Sequence, residues 1–247
     1  MLINTKKELE KFKIKSRGFV QVGAHLGSEV KIFKDINPSS SIYLFEPQIE
    51  LYKKLKNIFK NEVNVEIYNY AIGDKKEKLT MYKDTNNDSQ SSSLLRPKDH
   101  LKYHSYINFK EDLEEIINVE TLDSFKIKDA NILCIDVQGY ELKVLQGSKN
   151  FLKKCDALLI EINRKEMYEG CPHVTEIDKF LKLFNLYRVK TSWWQGTIPW
   201  GDALYVKKNY IGKIKKYKFT LINKLNHRSF VFFILSKINS LIKVVNQ

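Results

Sequence analysis

The stretch from Phe19 to Glu29, taken with Ser41–Pro47, constrains this chain more than any other. Phe19–Val22 is a short apolar run that breaks into a tight turn at Gly23 and Gly27, and a helical pattern follows. That order is strand, loop, helix N-terminus. Backbone N–H groups in such a loop are expected to face outward unpaired and to hold the polar end of a nucleotide-like ligand. Gly23 and Gly27 allow a sharp turn and a close approach to the backbone. Ser41–Phe45 is a second buried strand, and it ends in Glu46-Pro47. A carboxylate at the tip of the neighbouring strand is where a Rossmann-like site receives two ribose hydroxyls.

A dinucleotide loop carries three glycines in the spacing G-x-G-x-x-G, whereas this one has two, Gly23 and Gly27, separated by three residues. Less room for a pyrophosphate suits a smaller polar group, such as the amino-acid end of S-adenosyl-L-methionine. The alternative is that both glycines serve strand-to-helix packing alone.

At 247 residues the chain can bury one α/β core and carry a modest appendage. The boundaries read as a leading helix at 1–18, a catalytic domain at 19–208 and a tail at 209–247. The net charge of +13 is uneven, since residues 207–247 hold nine lysines and one arginine and no acid. The body is therefore nearly balanced, which gives no support to nucleic-acid binding. Cys134, Cys155 and Cys171 lack metal-ligand spacing and suggest a reducing compartment, so a cytoplasmic location is expected. Residues 1–17 have no continuous apolar core of the kind a signal peptide needs. The run from Phe230 to Lys243 is apolar but interrupted. It suits an interfacial helix, with Ile234, Ile238, Leu241, Ile242 and Val245 on one face and lysines toward anionic headgroups. Packing on the body or dimerisation is the alternative, and oligomeric state is not written in the sequence.

Along the chain, helices are expected at Leu2–Lys15, Ser28–Ile36, Ile49–Phe59, Glu141–Leu145 and Glu176–Phe184. Strands are expected at Val63–Ala71, Lys78–Tyr82, Val119–Leu122, Ile132–Ile135, Ala157–Glu161, Tyr187–Lys190 and Ala203–Val206. Asn69, at a strand end, is placed at the adenine edge of a bound nucleoside or in an ordinary turn. Thr85–Pro97 is a polar loop centred on Ser89–Ser93, either a lid or slack. Strands ending at Glu46, Asp136 and Glu161 present three carboxylates to one crevice. Trp193, Trp194 and Trp200 form either a stacking platform for a sugar or planar ring, or a small core under the sheet edge, the reading preferred here.

Five segments, in this order, resemble FkbM-type methyltransferases: Val20–Gly27, Phe45–Pro47, Asn69–Asp74, Thr121–Asp123 and Ile135–Glu141, with Leu145–Gly147 also in keeping. The resemblance covers roughly Phe19 to Lys207. It implies an α/β class I methyltransferase fold, Rossmann-like, with a mostly parallel seven-stranded sheet and helices on both faces. It implies S-adenosyl-L-methionine as cofactor and methylation of a hydroxyl on a sugar or natural product. Two positions depart from the pattern. Gln21 stands where an Asp often closes the first strand, and Gln138 stands where an acid commonly follows the later Asp.

Donor binding is assigned to Gln21, Gly23, Ala24, His25, Gly27, Glu46, Pro47, Asn69, Ala71 and Asp136. A hydroxyl nucleophile profits from a nearby base. Asp136 is ranked first, Glu161 second and His25 third; either carboxylate could instead hold a divalent cation. The expected acceptor is a sugar hydroxyl in a surface glycan or its lipid- or nucleotide-linked precursor. Rival readings are a nicotinamide oxidoreductase, which lacks its third glycine here, and a non-enzymatic glycan- or nucleotide-binding module.

Overall fold

The computed structural model describes residues 2–85, 88–103, 115–194 and 199–212. The chain divides into two units, Met1–Tyr210 and Ile211–Gln247. The tail helix expected from the sequence lies outside the described residues, as do the segments 104–114 and 195–198.

The first unit is built on a seven-stranded sheet. Its strands are β1 (Gly18–Val22), β2 (Ser41–Phe45), β3 (Val65–Tyr68), β7 (Ile132–Ile135), β8 (Ala157–Asn163), β9 (Leu186–Trp193) and β10 (Trp200–Lys207). They lie in the order β3-β2-β1-β7-β8-β10-β9. Neighbours from β3 to β8 pair in parallel, while β10 runs antiparallel to both β8 and β9. Fully apolar central strands such as Ile132–Ile135 fit burial on both sheet faces. A second, three-stranded sheet consists of β4 (Ala71–Ile72), β6 (Glu115–Glu120) and β5 (Glu77–Met81).

Side-chain alternation separates the two faces. Val20, Val22, Leu133, Ile135, Leu158 and Ile160 form the core of one face. Over them lie α5 (Glu141–Gln146), α6 (Lys149–Lys154) and α7 (Val174–Lys182), through Leu145, Leu152 and Ile177. On the opposite face, Phe33 of α2 (Val30–Ile36) stacks on Phe19 at 4.4 Å, with α1 (Thr5–Lys11) packed beside it. The remaining helices are α3 (Ile49–Ile58) and the short α4 (His100–Tyr103).

Several expected elements differ in extent. The strand expected over Val63–Ala71 is two pieces: β3 stays in the main sheet, and β4 crosses to the small one. The glycine at 18 opens β1 rather than closing a helix, because a Cβ there would press on the carbonyls of Asp129 and Ser41 at 2.6 and 2.7 Å. Helix α6 had no clear sequence signal. Its N-terminal backbone is capped from a distance by Asp123, which accepts from the N–H groups of Asn150 and Phe151 at 2.7 and 2.9 Å.

Candidate active site

The carboxyl ends of the parallel strands open into a cavity of about 720 Å³. Its wall brings together Gln21, Gly23, Ala24, His25, Glu46 and Pro47 from the first two strand ends. Ala71, Asp136 and Glu161 complete the expected set on that wall. Gly27 and Asn69 lie off it. A Cβ on Gly27, at φ +72°, would strike the Phe59 ring at 2.6 Å, so that glycine seats the loop on α3. The Asn69 amide donates to the carbonyls of Glu46 and Pro47 at 3.0 and 2.7 Å. It fastens the turn after β2, in keeping with the turn reading of this residue.

In the loop after β1, four of the backbone N–H groups expected to face outward are paired within the protein. Gly23 and Ala24 both donate to the Phe45 carbonyl at 3.0 Å, Gly27 donates to the Ala24 carbonyl at 2.7 Å, and His25 N–H reaches Glu46 Oε2 at 2.8 Å. Through these bonds the loop folds back on β2. Gly23 carries the turn: its φ is +79°, and a Cβ would sit 1.8 Å from the Asp136 carbonyl oxygen.

Glu46 is 3% exposed, and its second oxygen accepts from Gln48 N–H at 2.9 Å. Burial pushes its carboxyl up to about 7, with the two backbone donors offsetting part of that. One lone pair on each oxygen stays open to a hydroxyl donor. Gln21 is 2% exposed; its amide nitrogen donates to the Gly23 carbonyl at 3.3 Å, and its Oε1 has no partner. That orphaned acceptor on the cavity wall, the ribose-type acid at Glu46 and the Gly23 cradle together fit the ammonium and ribose ends of S-adenosylmethionine.

The acids on β7 and β8 form a clamp. Gln138 Nε2 donates to Asp136 Oδ1 at 2.8 Å and to Glu161 Oε2 at 3.2 Å. Tyr168 fixes the amide's orientation, its hydroxyl lying 2.9 Å from Gln138 Oε1. Gln138 itself has φ +53°, a left-handed conformation that side chains other than glycine's seldom adopt. Asp202 lies directly across from Glu161 in the β8–β10 register and accepts from Leu2 N–H. Burial raises Asp136 to about 6, with the charge of Asp202 adding to it and the Gln138 hydrogen bond opposing. Burial, then the charges of Asp136, Glu141 and Asp202, holds Glu161 well above the usual carboxylate range. Of the two, Asp136 is the more readily ionised, and Glu161 is held further toward its protonated form.

The polar loop expected between 85 and 97 is fastened, and Ser89–Ser92 belong to the wall. Ser93 Oγ donates to the Gln138 carbonyl at 2.6 Å, Ser91 N–H to Asp84 at 3.0 Å, and His25 Nε2 meets the Asp88 carbonyl at 2.7 Å. The three tryptophans divide. Trp193 packs toward the main core, under the Arg164 guanidinium at 3.6 Å. Trp194 and Trp200 stack on each other at 4.9 Å on the cavity wall, and Trp200 also packs on a small core of Met167, Tyr168 and Cys171, so both readings hold in part.

Sequence reasoning assigned no role to Asn163, Asp202 or Tyr168, all on the wall. A signal for the first was present: residues two apart on a strand share a face, and Asn163 follows Glu161 by two.

A parallel sheet reversed only by β10, a glycine turn after β1 and a carboxylate closing β2 define a class I S-adenosylmethionine-dependent methyltransferase. More specifically, the chain belongs to the FkbM methyltransferase family, whose methyltransferase FkbM domain matches residues 21–189. It is 25% identical over 179 residues to the 2-O-methyltransferase NoeI of Sinorhizobium fredii strain NGR234, covering 68% of this chain and 72% of that protein. The crystal structure of methyltransferase FkbM from Methylobacillus flagellatus KT resembles it with a TM-score of 0.52 at 13% identity. That match covers 78% of this chain and 44% of the other, so the chain spans less than half of that relative, and the likeness is one of fold.

Proposed function

We propose that this methyltransferase is an O-methyltransferase acting on a sugar hydroxyl, in a glycan or a lipid- or nucleotide-linked precursor. The observation that carries the reading is the Asp136–Gln138–Glu161 clamp, set in the same cavity wall as the Gly23 and Glu46 donor features. The name of the relative NoeI, a 2-O-methyltransferase, is in keeping with it.

When bound, S-adenosylmethionine supplies an activated methyl group on a cationic sulfur. Gln21 and Glu46 would hold its two polar ends. Asp136, ionised near neutral pH, accepts the acceptor's hydroxyl proton as that oxygen becomes the nucleophile, and such help is worth about 10²–10⁴-fold. Glu161, which burial pushes toward its protonated form, can then donate a hydrogen bond to the acceptor. Gln138 keeps the two carboxyls apart and oriented, and placement contributes as much as proton transfer.

The test is transfer of labelled methyl from S-adenosylmethionine to simple glycosides, with the product resolved by mass spectrometry and NMR. A methyl ether on a ring hydroxyl is expected. Label found only on amine or carbon acceptors would overturn the reading.

A further inference from the structure

Asn163 ends β8 and is 1% exposed, on the cavity wall, with neither Nδ2 nor Oδ1 hydrogen-bonded. Buried polar side chains in native proteins are nearly always paired, so an amide orphaned at both ends of its dipole points to a ligand. Directly across the β8–β10 register sits Trp200, whose ring stacks on Trp194 at 4.9 Å and 26°. The sheet order separates this corner from the donor features. Glu46 follows β2, Gly23 follows β1, Asp136 follows β7, and Asn163 and Trp200 lie beyond on β8 and β10. With strands about 4.8 Å apart, Asp136 stands between the two halves of the cavity.

We propose that Asn163 and the Trp194–Trp200 pair form the acceptor subsite, built for a pyranose ring with two adjacent hydroxyls. A side-chain amide offers an acceptor and a donor side by side, which matches a vicinal diol. The indole pair receives the apolar C–H face of the ring. One hydroxyl of the diol is thereby turned toward Asp136. This deepens the sugar reading above and rests on it.

The experiment uses the full chain saturated with S-adenosylhomocysteine and a panel of methyl pyranosides of gluco, galacto and manno configuration. Binding is followed by saturation-transfer NMR and tryptophan fluorescence. At least one glycoside binds the native protein. Asn163→Leu weakens it, and raises its KM in methyl transfer, by about tenfold or more. The same variant leaves S-adenosylhomocysteine affinity unchanged and melts no lower than the native protein, because the replaced amide had no partner to lose. A purely structural asparagine would give the opposite melting result. Trp194→Ala, at a position 42% exposed, also weakens the glycoside and decides between the outcomes should Asn163→Leu fail to fold. Glycosides methylated with unchanged KM by both variants overturn the subsite and leave the sugar reading standing. A loss of S-adenosylhomocysteine affinity in Asn163→Leu assigns the amide to the donor and overturns the proposal. Glycosides neither bound nor methylated by the native protein overturn the subsite and the sugar reading together.

Discussion

At the scale of single residues, the site is governed by how strongly burial resists the ionisation of each carboxyl. Asp136 is raised to about 6 by burial, so activity should climb through that pH as it ionises. Asp136→Asn still offers Gln138 an oxygen to bond, which preserves the clamp while removing the base. Turnover should fall about 10²–10⁴-fold with S-adenosylhomocysteine affinity nearly intact; a drop smaller than about tenfold would remove Asp136 from that role. Gln138→Glu exchanges the shared donor for a third carboxylate between two others. It should move the rising limb of the pH–rate profile upward, and an unmoved limb would show that the amide does not set the pKa of Asp136. Of these residues, Asp136, Glu161 and Glu46 were legible in the sequence, because an acid at or near the end of an apolar strand needs a reason to be there. The clamp was not. Gln138 registers in the sequence as a missing acid, and its bonds to Asp136 and Glu161 depend on a left-handed turn that no residue type announces.

The elements hold these residues in place through close approaches of backbone. Gly23 is the tightest, with φ +79° and no space between its Cα and the Asp136 carbonyl. Gly23→Ala must therefore part β1 from β7 at their carboxyl ends. A loss of about 2–3 kcal/mol or more in urea denaturation is expected, and a change under about 0.5 kcal/mol would mean the loop has slack the structure does not show. The main sheet was readable because its central strands are unbroken apolar runs, each punctuated by glycine or an acid. Of the three-stranded sheet, strands at Lys78–Tyr82 and Val119–Leu122 were expected but their assembly was not, since β4 is two residues long and exists only through pairing with β6. A stacking platform was one of two readings of the tryptophans, and which pair stacks was settled only by the fold, between the end of β9 and the start of β10.

On the scale of the whole molecule, several acids keep protons on folding that the unfolded chain would release. Burial raises Glu46 and Glu141 to about 7 and Asp136 to about 6, against ordinary values near 4. Between those values the native state binds more protons than the unfolded one, so this contribution to stability falls as pH rises from about 4 to about 7. Glu141→Gln should flatten that slope in denaturation curves taken across the range, and an unchanged slope would assign it to other groups. The acid-free segment from 207 onward predicts salt-sensitive attachment to anionic vesicles. In a flotation assay at low salt the full chain should rise with the vesicles and a chain ending at Lys208 should not; two sinking proteins would end that expectation. The cavity has the reverse character. Glu29, Glu46, Asp136, Glu161 and Asp202 line it, with no lysine or arginine among its described lining residues. Methyl transfer turns a sulfonium cation into an uncharged thioether, so the spent product loses the attraction that drew its precursor in. Product inhibition should accordingly be weak, and added salt should narrow the gap between the two dissociation constants, since only the precursor carries a net charge while the product is a neutral zwitterion.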